Sequence, residues 1–376
     1  MTHPTPDWAA LRQEFPTLAR WTYLDTARKA PLARCVEQSM QEFVADIYDA
    51  AGGEAWSARN VEATRATMAR LLGCPPESIA FTKNTTEGLN MASHCMDLKP
   101  GENIVVTDME HMANRWVWEH WREKGCEIRC VQNRDGRLPV EAFLEKMDEK
   151  TRVVATAWVT YRNGFRVDLK ELGRLCRAQD ARLVVDGVQG AGLLDTPLSA
   201  LNADFVAVGG HKHLLGLNGS GILYIRPELL TAPGGDAIKP LSYVTADAAR
   251  SQEDQHDAHR FEGGNPNYLG LWAFRRSAAF LESVGLRNIE NRVRELTDLF
   301  IGMLAKRGIR TQTPAHWGER CHIVNFPVAG NAEQVRARLR AERIVVNMKD
   351  GYLRASVGFF NNEKDLETLL SALPAS

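Results

Sequence analysis

A chain of 376 residues with 46 lysines and arginines against 47 aspartates and glutamates has a formal net charge of −1, so no basic field points to nucleic acid or anionic lipid. The length exceeds one simple core and suits a large domain with a smaller one, while no apolar run is long enough for a membrane span. The opening MTHPTPDWAALRQEF lacks the basic head and apolar core of a secretory signal, and seven cysteines without a Cys-x-x-Cys pair read as reduced thiols, so a cytoplasmic protein is expected.

Trp8 to Phe15 reads as a short amphipathic helix ahead of WTYLDTARKAPLA. There Arg28 and Lys29 form two adjacent cations, either a solvated surface pair or a grip for a second acidic group of a substrate. Val61, Met68, Leu71 and Leu72 fall at helical spacing, and Gly73 ends the run. SIAFTKNTTEGLNMAS then predicts a strand through Phe81, a polar turn and a helix beginning near Thr85. A helix N-terminus offers free N–H groups and the positive end of its dipole, which suits a phosphate dianion, and Thr85 and Thr86 add hydroxyl donors.

Asn103 to Asp108 is a predicted strand, with His111 just past its carboxyl end, where an imidazole can stack on a flat ring. Trp116 and Trp118 read as packing, with lining of a substrate pocket as the alternative. Cys126 and Cys130 sit at strand spacing in CEIRC, facing one way, and no metal is expected there. Arg152 to Val159 is a further strand, from which TYRNGFRVDL leads into a helix.

The next stretch, Ala181 to Arg226, carries most of the chemistry. Its apolar runs Leu183 to Val185 and Phe205 to Val208 end at Asp186 and at a Gly-Gly-His-Lys turn. Asp186 and Lys212 therefore belong at the carboxyl ends of buried strands, where open α/β sheets keep their ligands. A partly desolvated lysine on such a turn can form a Schiff base with an aldehyde, and a nearby aspartate can keep a pyridinium nitrogen protonated. Farther on, EDQHDAH, with His256 and His259, reads as a solvated run rather than a metal site, and Leu269 to Leu286 as the long helix leaving the large domain. Helices over Ile289 to Ala305 and Ala332 to Leu339 and strands in HIVNFPV, RIVVNMK and YLRASVG make a small α+β domain. It contains Arg354, whose planar fork suits a carboxylate.

The set DGVQ, GGHK and GSGILYI resembles the strand-Asp-x-x-His/Gln, strand-x-His-Lys and Gly-x-Gly-x-Leu-Tyr-Val pattern of the class V aminotransferase family. This group of fold-type I pyridoxal phosphate enzymes includes cysteine desulfurases, selenocysteine lyases and isopenicillin N epimerase-like proteins. The resemblance implies an α/β fold with a mostly parallel seven-stranded sheet in a large domain over 22–268, and a smaller α+β domain from 1–21 and 269–376. It implies pyridoxal 5'-phosphate as cofactor, with Lys212 as its Schiff-base lysine and as the base for the Cα proton, and Asp186 on the pyridine nitrogen. Gln189 would contact the 3′-oxygen. Thr85 and Thr86, in Asn-Thr-Thr-Glu-Gly, and His211 join the cofactor-binding group, and His111, in Glu-His-x-x-Asn, stacks on the ring.

Tyr23 to Ala27 match a segment that enters the mouth of the site. Tyr161 stands where desulfurases place an asparagine, and Asn163 comes two residues late; both are assigned with Arg28 to the substrate-binding group, and Arg354 to the substrate α-carboxylate. Asn265, in HRFEGGNPN, replaces a threonine or serine that reaches the neighbouring subunit's phosphate, which implies a homodimer with shared sites.

A desulfurase needs a cysteine on a mobile loop just before the carboxylate arginine. RIVVNMKDGYLR holds none and leaves little room for such a loop, while Cys321 comes too early. The expected reaction on an amino acid is therefore β-elimination of the carbon–sulfur lyase kind without a persulfide, with aminotransfer and epimerisation as alternatives. A nicotinamide dehydrogenase is excluded, since the Gly219 turn precedes a strand instead of opening a helix. Retention of Lys212, Asp186 and Arg354 together argues against a scaffold that has lost its reaction.

Overall fold

The computed structural model describes residues 6–231 and 257–374. Seven strands form the main sheet in the spatial order Ile79–Thr82, Gly221–Ile225, Phe205–Gly209, Arg182–Asp186, Thr151–Ala157, Asn103–Thr107 and Glu127–Val131. Neighbours run parallel except Gly221–Ile225, which is antiparallel to both of its partners.

Most of these strands are apolar without interruption because helices cover both faces of the sheet. Successive side chains point to opposite faces, so each run is divided between two cores. Leu183, Val185, Val206 and Val208 join one cluster with Met68 and Phe274. Val184, Phe205, Ala207, Val153 and Ala155 join the other with Leu89 and Ala92 of the Thr85–His94 helix. The Arg34–Ala50, Ala58–Leu72 and Tyr268–Val284 helices pack together on the first face. Five mutually parallel strands thus present their carboxyl ends along one edge of the layer, where the candidate site forms.

The smaller sheet is antiparallel, in the order Asn347–Lys349, Tyr352–Ser356 and Ile323–Phe326. Its core takes Phe300 and Leu304 from the Leu286–Lys306 helix and Leu366 and Leu369 from Glu363–Ala372. Leu24 joins the same core, and Thr22–Tyr23 pairs in parallel with Ile344–Val345.

Three expectations change. RIVVNMK is not one strand: Ile344–Val345 pairs with the N-terminal segment, whereas Asn347–Lys349 turns into the hairpin with Tyr352–Ser356. The long helix stops at Val284, and a second begins at Leu286. Of the two tryptophans read as packing, Trp118 is fully buried but Trp116 is 64% exposed, because the Met112–Trp116 helix lies on the surface. His256 lies outside the described residues, and His259 sits in the short Ala258–Phe261 turn, bonded to Glu62 at 3.0 Å. No helix among the described residues is long and apolar enough to cross a membrane.

Candidate active site

Asp186 ends its strand 6% exposed, and one carboxylate oxygen accepts the Val188 N–H at 3.0 Å. Burial raises its pKa, opposed by the charges of Lys212 and His111. Lys212 follows the neighbouring strand end in a turn closed by Gly216 N–H to Gly210 O at 2.8 Å and Leu215 N–H to Lys212 O at 3.0 Å. Burial lowers the Lys212 pKa to about 8, and Asp186 only partly restores it. A low-dielectric setting disfavours the ammonium, so about a tenth of this amine is neutral and nucleophilic at pH 7, far more than for an ordinary lysine.

His111 caps the Met112–Trp116 helix, its Nδ1 accepting the Ala113 N–H at 3.2 Å. That bond leaves the proton of the neutral ring on Nε2. Burial lowers the His111 pKa, against the pull of Asp186, so the neutral form prevails. The loop carrying it is tied down by Glu110, which no motif reading had singled out beyond its place before His111. The buried Glu110 carboxylate accepts from Thr107 at 2.8 Å, Asn114 at 2.7 Å, the Ala157 N–H at 3.0 Å and Thr156 at 3.2 Å. Burial pushes its pKa up to about 7 despite these donors.

The Thr85–His94 helix begins beside the Lys212 strand. Its N-cap is Asn84, whose side chain accepts the Glu87 N–H at 2.9 Å, and the N–H groups of Thr85 and Thr86 have no acceptor within the helix. Thr85 is buried and Thr86 exposed. A Cβ on Gly209 would come within 3.1 Å of both Thr85 Oγ1 and the His211 ring, so glycine lets these two groups close on the strand end. His211 is half-buried, and burial with the Lys212 charge lowers its pKa to about 4. Gln189 is buried; its amide nitrogen donates to Ala27 O at 3.0 Å, and its Oε1 has no hydrogen-bond partner among the described residues. A buried polar atom left unpaired marks a place for a ligand's polar group.

The far side of the site is built around the Tyr352–Ser356 strand of the three-stranded sheet. Arg354, 2% exposed, donates to Tyr161 O at 2.7 Å and pairs with Asp25 at 3.3 Å; Asn347 donates to Asp25 at 3.2 Å. Burial lowers the Arg354 pKa against the pull of Asp25, and Lys212 feels both residues. The Tyr161 ring meets His111 edge-on with centroids 5.4 Å apart and carries Lys349 Nζ 5.2 Å from its own centroid. Arg28 lies exposed beside Asp25, its N–H donating to Asp25 O at 3.0 Å.

Lys212, Asp186, His111, Tyr161 and Arg354 thus converge, and Asp25 and Lys349 join them without having been expected. An Asp two residues before Ala27 in TYLDTA was the one available signal for Asp25; nothing in the sequence marked Lys349. Asn163 is a correction. Its oxygen accepts from Thr160 at 2.7 Å and Phe165 N–H at 3.1 Å, and its nitrogen donates to Gly136 O at 2.8 Å. With its amide engaged at both ends it holds the turn together and offers no group to a substrate. Asn265 is exposed in the turn before the Tyr268–Val284 helix.

A lysine and an aspartate at adjacent carboxyl ends of this seven-stranded sheet suit pyridoxal phosphate in donor set and charge, the open helix N-terminus fits its phosphate, and the buried Gln189 amide can reach its ring only by turning its nitrogen from Ala27 O. The architecture is that of the fold-type I pyridoxal phosphate enzymes. The aminotransferase class-V family model matches residues 22–369, and the chain belongs to that family. It is therefore an enzyme with pyridoxal phosphate as cofactor.

A cysteine desulfurase of Cronobacter sakazakii is 31% identical over 307 residues, covering 76% of this chain and 74% of the relative. YcbU of Bacillus subtilis, described as an uncharacterized aminotransferase, is 25% identical over 374 residues, covering 97% and 96%. The apo structure of a cysteine desulfurase from Thermococcus onnurineus matches with a TM-score of 0.86 at 26% identity, covering 98% of this chain and 97% of that one.

Proposed function

We propose that this enzyme removes the Cα proton of an amino acid and expels a group from Cβ, a carbon–sulfur lyase type of β-elimination, and does not form a protein persulfide. The observation that carries the reading is the hairpin before Arg354. Strands Asn347–Lys349 and Tyr352–Ser356 are joined by Asp350 and Gly351 alone, at φ 52° and 83°. Positive φ at both central residues is the tight hairpin turn that Asp-Gly favours, and it leaves no loop on which a cysteine could swing to a substrate sulfur. Cys321, the cysteine next before Arg354, is fully buried, and burial pushes its thiol up to about 12. Such a thiol is a poor nucleophile. The relatives named cysteine desulfurases point the other way, so the product assay below decides.

The cofactor, when bound, supplies the aldehyde that engages the amine and the ring that accepts electrons from Cα. Lys212 would hold it, with Asp186 facing the ring nitrogen, Gln189 the 3′-oxygen, His111 the ring face, and Thr85, Thr86 and His211 the phosphate. Arg354 would turn from Tyr161 O and Asp25 to grip the substrate carboxylate with two parallel N–H bonds. Lys212 Nζ, freed when the substrate amine takes its place, would then take the Cα proton. The Tyr161 ring closes the space between His111 and Arg354 against water.

The reading includes a cytoplasmic homodimer. Seven free thiols support a reducing compartment, and the exposed GGNPN turn, anchored by Asn267 to Gly219 O at 2.8 Å, holds Asn265 outward where a second chain's phosphate site would meet it. A monomer at micromolar concentration with cofactor bound removes that part.

The test incubates the purified holoenzyme with amino acids and cysteine conjugates, and measures 2-oxo acid, ammonia, thiol and protein-bound sulfur. Equal amounts of 2-oxo acid, ammonia and free leaving group are expected. A protein persulfide sinks the reading, and a 2-oxo acid formed without ammonia, only when a second 2-oxo acid is added, replaces it with aminotransfer.

A further inference from the structure

Asn347 lies directly across the hairpin from Arg354, and Lys349 is two residues along the same strand. Side chains two apart on a strand share a face, so Asn347, Lys349 and Arg354 project together. That face is the one turned to the site, since Asn347 and Arg354 both bond Asp25. Diagonal positions on such a pair lie roughly 7–8 Å apart, which sets Lys349 one short side chain away from Arg354. Tyr161 fills the interval, its carbonyl bonded to Arg354 and its ring beneath the Lys349 ammonium.

The charges around this face do not balance. Asp25 is engaged by Arg354 and Asn347, and Asp350, the carboxylate beside Lys349, pairs with Arg162 at 3.2 Å. No hydrogen bond or ion pair holds the half-buried Lys349 ammonium among the described residues. Arg28, exposed beside Asp25, adds a further cation. A half-buried ammonium resting on one aromatic ring gains about 0.5–2 kcal/mol from the ring face, less than a carboxylate would supply. Lys349 also disfavours protonation of both His111 and Lys212, which puts its charge on the rim of the same space.

We propose that Lys349 binds an anionic group at the end of the substrate's side chain, so that the enzyme selects amino acids carrying an acid on the group attached to Cβ. The inference rests on Arg354 holding the α-carboxylate, as in the reading above. The tight Asp350-Gly351 turn follows Lys349 directly and fixes its register, which holds it on this face. Arg28 lies on the solvent side and strengthens the field without being required for contact.

The test uses a nearly isosteric pair, S-carboxymethyl-L-cysteine and its neutral amide S-carbamoylmethyl-L-cysteine, with the holoenzyme. Binding by calorimetry and the kcat/KM ratio are both measured, so that binding is read even if the chemistry is not elimination. The acid is expected to bind at least about tenfold more tightly, with the difference in KM, as a charge-assisted bond supplies. Lys349→Met should bring the acid-to-amide ratio to about one, and Lys349→Arg should keep it well above one, which also controls for folding of the hairpin. Equal binding of the two conjugates by the wild type, an undiminished ratio in Lys349→Met, or no binding of either conjugate overturns the inference. A clear acid preference in calorimetry with transaminated product would retain it and sink elimination alone.

Discussion

At the sheet end of the site, Asp186, Gly209 and Lys212 are placed by neighbouring strands buried between two apolar cores. At the opposite end, Arg354 rides on a hairpin and meets Tyr161 and Asp25, 193 and 329 residues away along the chain. The first region is rigid because its backbone hydrogen bonds and both apolar faces are shared with the whole sheet. The second is held by a few polar contacts between segments. Chemistry common to a family belongs on the first kind of support and substrate choice on the second, because a two-residue turn can be altered there without disturbing the core.

The largest effect that would test this division lies at Lys212. Lys212→Ala should abolish the visible absorbance of the bound cofactor and lower turnover by more than about a thousandfold, with little change in the denaturation midpoint. An unchanged visible spectrum would move the reactive lysine elsewhere.

At the other end, Arg354→Met leaves the buried Asp25 carboxylate without its cation, which should cost about 3–5 kcal/mol of stability. Both side chains are almost wholly buried, at 3% and 2% exposure, so solvent does little to soften the loss. Adding Asp25→Asn should recover much of it, a coupling that a double-mutant cycle in urea reads directly. Substrate KM should rise while the cofactor absorbance stays. If Arg354→Met lost the cofactor spectrum as well, the two ends would not be separable.

The smallest of the three effects concerns Glu110, which braces the His111 loop. Its carboxyl titrates near 7 in the fold against 4.5 as the ordinary value, chiefly through burial. Below 4.5 both folded and unfolded chains hold the proton and the stabilising term is complete. From there to about 7 only the folded chain holds it, so this term is lost as pH rises, and then levels off. Glu110→Gln keeps the shape and removes the titration, and Asn114 can turn its unpaired oxygen towards the new amide. Between pH 5 and pH 8 the wild type should therefore lose more stability than Glu110→Gln, by up to a few kcal/mol. Parallel urea midpoints for the two proteins across that range would show that Glu110 titrates normally.

The sheet end was legible before any coordinates because its signals are local. An apolar run that stops at Asp186, a glycine turn around Lys212 and a helix beginning near Thr85 each occupy a few consecutive residues, and period-two strands and helix N-termini follow from backbone geometry. Lys349 was not legible, since nothing within RIVVNMK distinguishes a site lysine from a solvated one. Asn163 misled for the same reason: an amide near the expected position says nothing about which partners will occupy it. Reading RIVVNMK as one strand failed because Ile344–Val345 and Asn347–Lys349 pair with different sheets, a choice made by Thr22–Tyr23 more than 300 residues earlier in the chain.

By itself the sequence determined the fold class and the cofactor and singled out Lys212, Asp186 and Arg354 as site candidates, since these rest on short-range pattern and on side-chain chemistry that does not depend on distant partners. Only the tertiary structure decided which charges remain unpaired. It brought Asp25 to Arg354, drew Asp350 to Arg162 and left Lys349 facing the site, because net charge at a point in space is a sum over segments whose proximity no local pattern encodes.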